Sequence, residues 1–344
     1  MNITYLLGAG ASYEACPIWK EQGEKMIELA SNYLSEEKKK FKDSKPRNLS
    51  ESENILWDIG YFGNKALEFG TIDTYAKKLN INGSDTELQR LKLAVSIFFT
   101  LWESSNDNIK KRITKDSIED YKAIDPRYIS LISSIIDNSN SYNPRIKDNI
   151  KIVTWNYDLQ FERAFKSFCL NHLDWKYVSE HLTFRVNEKN KELNVCHLNG
   201  YNGFYYTDKG NEVDFLERTE SNKIEDILKE IGFTSKSADR GRLWINDHIN
   251  YAWEDNKLAK KTREEARNIF SKTDILVIIG YSFPPFNKEI DSLLFNELKD
   301  RETEIYYQDI NASDDFLKIL TKDLNCKIHL IKDKKDHFYL PYDF

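Results

Sequence analysis

The chain has 344 residues, 40% of them hydrophobic, which is enough for one large α/β domain with insertions or for two domains with a substantial core. Lysine and arginine number 50 against 56 aspartates and glutamates, and the formal net charge of −6 argues against a chain that coats nucleic acid by bulk electrostatics. There is no run of about 18 apolar residues to cross a bilayer, no signal-peptide pattern at the start, and no pairing pattern among four cysteines, so a cytoplasmic protein in a reducing compartment is expected.

Residues 3–12, Ile-Thr-Tyr-Leu-Leu-Gly-Ala-Gly-Ala-Ser, read as a short buried strand that runs into a glycine turn and a helix start. Gly8 permits a tight turn, Gly10 a close backbone approach to a ligand, and the N–H groups opening near Ser12 favour a pyrophosphate. The dinucleotide fingerprint asks for glycine at position 13, where this chain has Tyr13. Residues 20–145 then read as a helical insertion of four to six helices. Their apolar spacing is visible at Met26, Ile27, Leu29, Ala30, Tyr33 and Leu34, at Leu88–Leu101, and at Ile129–Ile136. Breaks fall at 43–49, 82–83 and 138–144.

A second strand over 150–158 ends in polar residues and leads into a helix over 159–169, with Phe161, Ala164, Phe165 and Phe168 on one face. A short strand over 193–200 ends in His197, Asn199 and Gly200. Residues 203–255 are polar and turn-rich, with Gly203, Gly210, Gly232 and Gly241, and read as an insertion in the α/β domain that serves as a lid or an oligomer contact. Helix 258–270, strand 275–279, helix 288–298, strand 304–308, helix 314–324 and strand 327–331 follow in strict alternation. Such alternation implies a doubly wound parallel sheet, so 1–19 and 146–344 are expected to form a Rossmann-like α/β domain. The aromatic tail 337–344 is expected to pack on that domain. Ligands of open α/β sheets sit outside the carboxyl ends of the strands, and four polar or glycine-rich strand ends here point to one crevice.

In this order, Gly-Ala-Gly-Ala-Ser, Thr-x-Asn-Tyr-Asp, His-x-x-Gly and Gly-Tyr-Ser-Phe resemble the SIR2 (sirtuin-like) family, and its bacterial antiviral branch more than the protein deacylases. The resemblance implies a catalytic pair at Asn156 and His197, with Asp158 as the motif's closing acid. It implies a pyrophosphate loop at Gly8, Ala9, Gly10 and Ser12, a cofactor-contacting strand end at Gly280 and Ser282, and an adenosine-ribose edge near Asn311. NAD is then the substrate, and no metal is expected. The family's deacylases hold zinc with two Cys-x-x-Cys pairs, whereas Cys16, Cys169, Cys196 and Cys326 lack that spacing. The stretch after the first glycine loop is also altered, to Ala15-Cys16-Pro17-Ile18-Trp19-Lys20.

The resemblance therefore implies an NAD glycohydrolase that depletes NAD in phage-infected bacteria. Expected partners are a second copy of the chain, or a sensor such as a HerA-type ATPase or a short Argonaute. Protein deacylation, ADP-ribosylation and a catalytically silent NAD or ADP-ribose module are the alternatives. On chemical grounds, Asn156 can hold a water or ribose hydroxyl, His197 at its ordinary pKa can act as general base, and Asp158 can add negative potential near a developing sugar cation. Each also has a structural reading: Asp158 as a helix cap, Asn156 as a turn residue, His197 as a satisfied buried histidine.

Overall fold

All five residues of β1 (Ile3–Leu7) are buried, as the central strand of a parallel sheet requires. In the computed structural model β1 pairs in parallel on one side with β2 (Ile150–Thr154), Leu7 opposite Thr154, and β2 pairs with β3 (Val195–His197). On its other side it pairs with β4 (Ile275–Ile279), Leu7 opposite Ile279, followed by β5 (Thr303–Gln308) and β6 (Cys326–Ile331). The result is a six-stranded, all-parallel sheet of order β6-β5-β4-β1-β2-β3, a Rossmann-like α/β architecture. The strand order reverses at β1, so the carboxyl ends of β1, β2 and β4 lie side by side at the switch point where such sheets bind ligands. The description covers all residues except 43, 106–109, 114–117, 138–143, 171–173, 186–191, 208–211, 215, 217–222, 237–244, 314, 333–335 and 342–344. The expected break at 138–144, save for its last residue, lies outside the described residues, as do Gly210 and Gly241.

The chain forms two compact units: 1–14, 124–200 and 250–344 make the sheet unit, and 15–123 with 201–249 make a helical unit. The helical unit holds α1 (Trp19–Tyr33), α2 (Glu51–Phe69), α3 (Ile72–Ile81) and α4 (Asp85–Ser104). Ser50 and Glu53 close a capping box that starts α2. The α1 and α2 backbones approach closely at Gly23 and Gly63, where a Cβ on Gly63 would stand 2.8 Å from the Gly23 carbonyl.

The sheet unit contributes α5 (Pro126–Ile135), α6 (Gln160–Lys166) and α7 (Trp175–Leu182). Next in the chain, α8 (Ile224–Lys236) belongs to the helical unit, and α9 (Lys257–Phe270), α10 (Lys288–Asn296) and α11 (Asp315–Leu320) return to the sheet. Helix α5, which lies within 20–145, packs against α6 of the sheet unit; Asp125 caps it and Pro126 is its first residue. Residues 201–249, which include most of the stretch 203–255, group with the helices, and 250–255 group with the sheet. Buried Phe204, Tyr205, Ile227, Leu228 and Ile231 supply apolar surface, and Tyr205 and Asn202 bond Thr100 and Glu103 of α4.

The sheet unit's core joins Leu6, Val153, Cys196 and Ile278 from the strands to Phe270, Leu294 and Phe295 from α9 and α10. Within 337–341 the tail lies on this unit, with Phe338 buried against Tyr128 and Tyr339 stacked on Tyr306. No helix among the described residues is long and apolar enough to cross a membrane.

Candidate functional site

Three glycines lock the ends of β1 and β4 together. Gly280 turns with φ +59°, and a Cβ there would overlap the backbone of Gly10 and Ala11. A Cβ on Gly8 would fall 2.6 Å from the Gly280 carbonyl oxygen, and one on Gly10 would fall 2.8 Å from Gly280 Cα. The N–H of Gly8 donates to Ile279, that of Gly10 to Gly280 and that of Ala11 to Gly8, so these donors serve the turn itself. In this structure Gly10 brings its backbone close to that of Gly280. The turn that follows is a four-residue 3-10 helix, Ala9–Ser12.

Ser12 leaves this turn pointing at the end of β2. Its Oγ donates to Asp158 Oδ1 at 2.9 Å, while Asn156 Nδ2 donates to Ser12 Oγ at 3.2 Å and to the Gly8 carbonyl at 3.0 Å. With its proton on Asp158, Ser12 can accept from Tyr128, whose hydroxyl oxygen lies 3.2 Å away. The Asn156 N–H donates to Thr154 Oγ1, and the Gln160 N–H donates to Asp158 Oδ1 at the start of α6. Asp158 therefore accepts from the first residue of α6 and joins the cluster at once. Both Asn156 amide protons are committed, so what Asn156 offers an incoming group is its Oδ1 acceptor. Burial raises the Tyr128 hydroxyl pKa far above its ordinary value, and the Asp158 charge adds to the effect, so Tyr128 remains a neutral donor.

His197 ends β3, and its ring lies between two acceptors. Nδ1 is 3.2 Å from the Asn156 carbonyl and Nε2 is 2.8 Å from Glu162 Oε1 on α6. Burial works to lower its pKa, but the Glu162 charge and hydrogen bond, the Asn156 carbonyl and Asp158 outweigh it, and the net shift is upward. A base at its ordinary pKa, as the sequence suggested, is not what this geometry presents. Asn199, two residues on, donates to the Trp155 carbonyl and ties the ends of β2 and β3 together.

Asn156, Asp158, His197, Gly8, Gly10, Ser12 and Gly280 thus converge at adjacent strand ends, and Ala9 lies exposed between the two turn glycines. Ser282 and Asn311 are both exposed and stand apart from this hydrogen-bonded cluster; the Asn311 N–H closes a turn on Asp309. The sequence reading missed four contributors. Asp125 accepts from the Arg127 and Glu14 N–H groups, and Arg127 donates to the Gly10 and Ala11 carbonyls at 3.2 Å, bracing the glycine turn from α5. Tyr128 and Glu162 complete the set. Asp125-Pro126 is a legible helix start, and Glu162 stands one turn beyond Asp158, but only the fold shows what these side chains reach.

No protein-family model and no curated protein matches the chain. Among solved structures it is similar to Sir2 proteins. A structure concerned with the mechanism and regulation of Sir2 enzymes is 13% identical with a TM-score of 0.42, over 96% of this chain and 86% of that one. Sir2 bound to acetylated peptide is 12% identical with a TM-score of 0.41, over 96% and 87%. A structure on sirtuin substrate affinity is 12% identical with a TM-score of 0.37, over 96% and 88%. At these levels the chemistry has to be argued from the chain's own residues.

Proposed function

We propose that the chain is an NAD glycohydrolase, cleaving NAD to nicotinamide and ADP-ribose. The observation that carries this reading is the buried Ser12–Asp158–Asn156 cluster at the switch point of the sheet, formed by the residues that the ordered SIR2-like motifs select. Its surface is one of acceptors: the Asp158 carboxylate and Asn156 Oδ1. If the Glu162–His197 pair is counted as neutral, the cluster has one net negative charge. Breaking the bond between nicotinamide and ribose C1′ sends the bonding pair to the nicotinamide nitrogen and leaves a sugar cation. A fixed carboxylate in a water-poor site stabilises that charge more in the transition state than in the ground state. Water held by Asn156 Oδ1 then bonds to C1′ and releases one proton. Such an electrophile requires a positioned water more than a strong base.

Constant NAD hydrolysis would be lethal, so the active state should depend on assembly, as a homo-oligomer or with a separate sensor such as a HerA-type ATPase or short Argonaute; the proposed role is NAD depletion in phage-infected bacteria. The test is to incubate purified protein with NAD, alone and with its genomic neighbour, across a concentration series followed by light scattering and chromatography. Nicotinamide and ADP-ribose should accumulate, and Asn156→Ala and Asp158→Asn should each cut turnover at least about a hundredfold with little change in melting temperature. Absence of nicotinamide release in every assembly state, or wild-type turnover in Asn156→Ala, would refute the reading.

A further inference from the structure

Hydrolysis of NAD at this cluster leaves one buried pair, His197 and Glu162, without a part. We infer that Glu162 is a positioning residue, holding His197 as an imidazolium with both N–H bonds committed, so that His197 anchors the Asn156 loop and does not abstract a proton. For its bearing on turnover this rests on the reading of the cluster as the reacting site.

Two acceptors fix where the ring's hydrogens lie. The Asn156 carbonyl can only accept, so the Nδ1 facing it carries a hydrogen. Nε2 faces a carboxylate oxygen at 2.8 Å, and without its own hydrogen it would set a lone pair against an ionised carboxylate. The His197 and Glu162 side chains are only 2% and 0% exposed, so water does not screen either group. Glu162 Oε2 is buried and has no hydrogen-bond partner among the described residues, so the carboxylate is held by His197 alone. The charged groups acting on His197 are Glu162 from α6 and Asp158 from the β2–α6 turn, both favouring the cation, while Phe184 packs edge-on at 6.2 Å and adds none.

The consequence runs through the loop. Glu162 lies one helical turn after Asp158, and His197 spans from it to the peptide of Asn156, the residue whose amide reaches Gly8 and Ser12. With Nε2 fixed on Glu162, the imidazole is oriented so that Nδ1–H pulls the Asn156 carbonyl away from the reacting face and leaves the side chain aimed into it. Against a carboxylate, a neutral imidazole could satisfy one acceptor and not both.

The test is ring-nitrogen NMR on the uniformly ¹⁵N-labelled full-length protein, with the His197 signals assigned by their loss in His197→Gln. In the wild type both His197 nitrogens should be protonated at neutral pH and stay so above the ordinary imidazole range. In Glu162→Gln the His197 titration should move down in pH, and turnover should fall with its alkaline limb displaced in the same direction. Glu162→Asp should restore part of both. An unprotonated Nε2 in the wild type at neutral pH would overturn the inference, as would a His197 titration unmoved by Glu162→Gln. The wild-type spectrum decides even if the variants do not fold. It also decides if the protein turns over no NAD, in which case the glycohydrolase reading fails on its own.

Discussion

Gly280 shows how much one missing side chain can determine. Its φ of +59° is one that other residues reach only with strain, and its Cα faces the backbone of Gly10 and Ala11 with no room for a methyl group. Gly280→Ala should therefore cost about 3 kcal/mol or more, combining left-handed strain with overpacking. Denaturant titration would measure it, and a loss below about 0.5 kcal/mol, the range of ordinary surface changes, would mean that the strand ends are not interlocked. The sequence showed that glycines were needed at 8, 10 and 280 but not against what. A Gly-x-Gly turn looks the same whether a phosphate or another strand approaches it. Asn156, Asp158 and His197 were legible because each ends a strand pattern in a polar residue. Glu162, Arg127 and Tyr128 were not, because a polar residue on an amphipathic helix reads as solvated until its partner strand is known.

At the scale of elements, α10 carries a buried acid against the turn after β4. Asp291 is 1% exposed and accepts from the Tyr281 hydroxyl at 2.7 Å, and Tyr281 is the residue whose Cα blocks a side chain at Gly8. Burial pushes the Asp291 carboxyl up from 3.8 to about 7, against the pull of the Tyr281 hydrogen bond. The sign follows directly. Below the unfolded value both states hold the proton and the titration of Asp291 contributes nothing to stability. As pH rises from about 4 through about 7 the unfolded chain ionises first, and stability is lost by an amount on the order of 4 kcal/mol. Asp291→Asn keeps an acceptor for Tyr281 and removes the titration. It should be more stable than wild type at pH 8, with the gap closing toward pH 4. Paired unfolding curves across that range check it, and a pH-independent gap would contradict a buried neutral acid. The alternation of strands and helices after residue 258 was readable because β4 is an unbroken apolar run and β6 alternates apolar residues with the exposed Lys327 and His329. Helix ends were read too long, 288–298 against Lys288–Asn296, because the apolar spacing continues at Leu298 after the helix has ended.

At the scale of the whole chain, the sheet is assembled from distant segments around its first strand. Ile3 pairs with Ile150 on one side and Ile275 on the other, so β1 has no local partner and its burial is complete only when both ends of the chain have arrived. How the chain groups into units is hard to read from a sequence for this reason. The sheet unit is built from three separated stretches, and the polar sequence of 201–249 does not reveal that its scattered Phe, Tyr and Ile residues serve the helical unit. Pairing at such separations pays the loop-closure entropy before the contacts reward it, so folding should be slow and should wait for the C-terminal strands. A fragment ending at residue 255 keeps β1, β2 and β3 but removes β4, leaving the edge of an apolar strand, Ile-Thr-Tyr-Leu-Leu, without a partner. Such an edge templates association with other chains. Expressed alone, the 1–255 fragment should aggregate and show no cooperative unfolding, while co-expression with 256–344 should recover soluble protein by supplying β4, β5 and β6. A soluble, cooperatively melting 1–255 monomer would show that β1 and β2 form a stable sheet without their C-terminal neighbours.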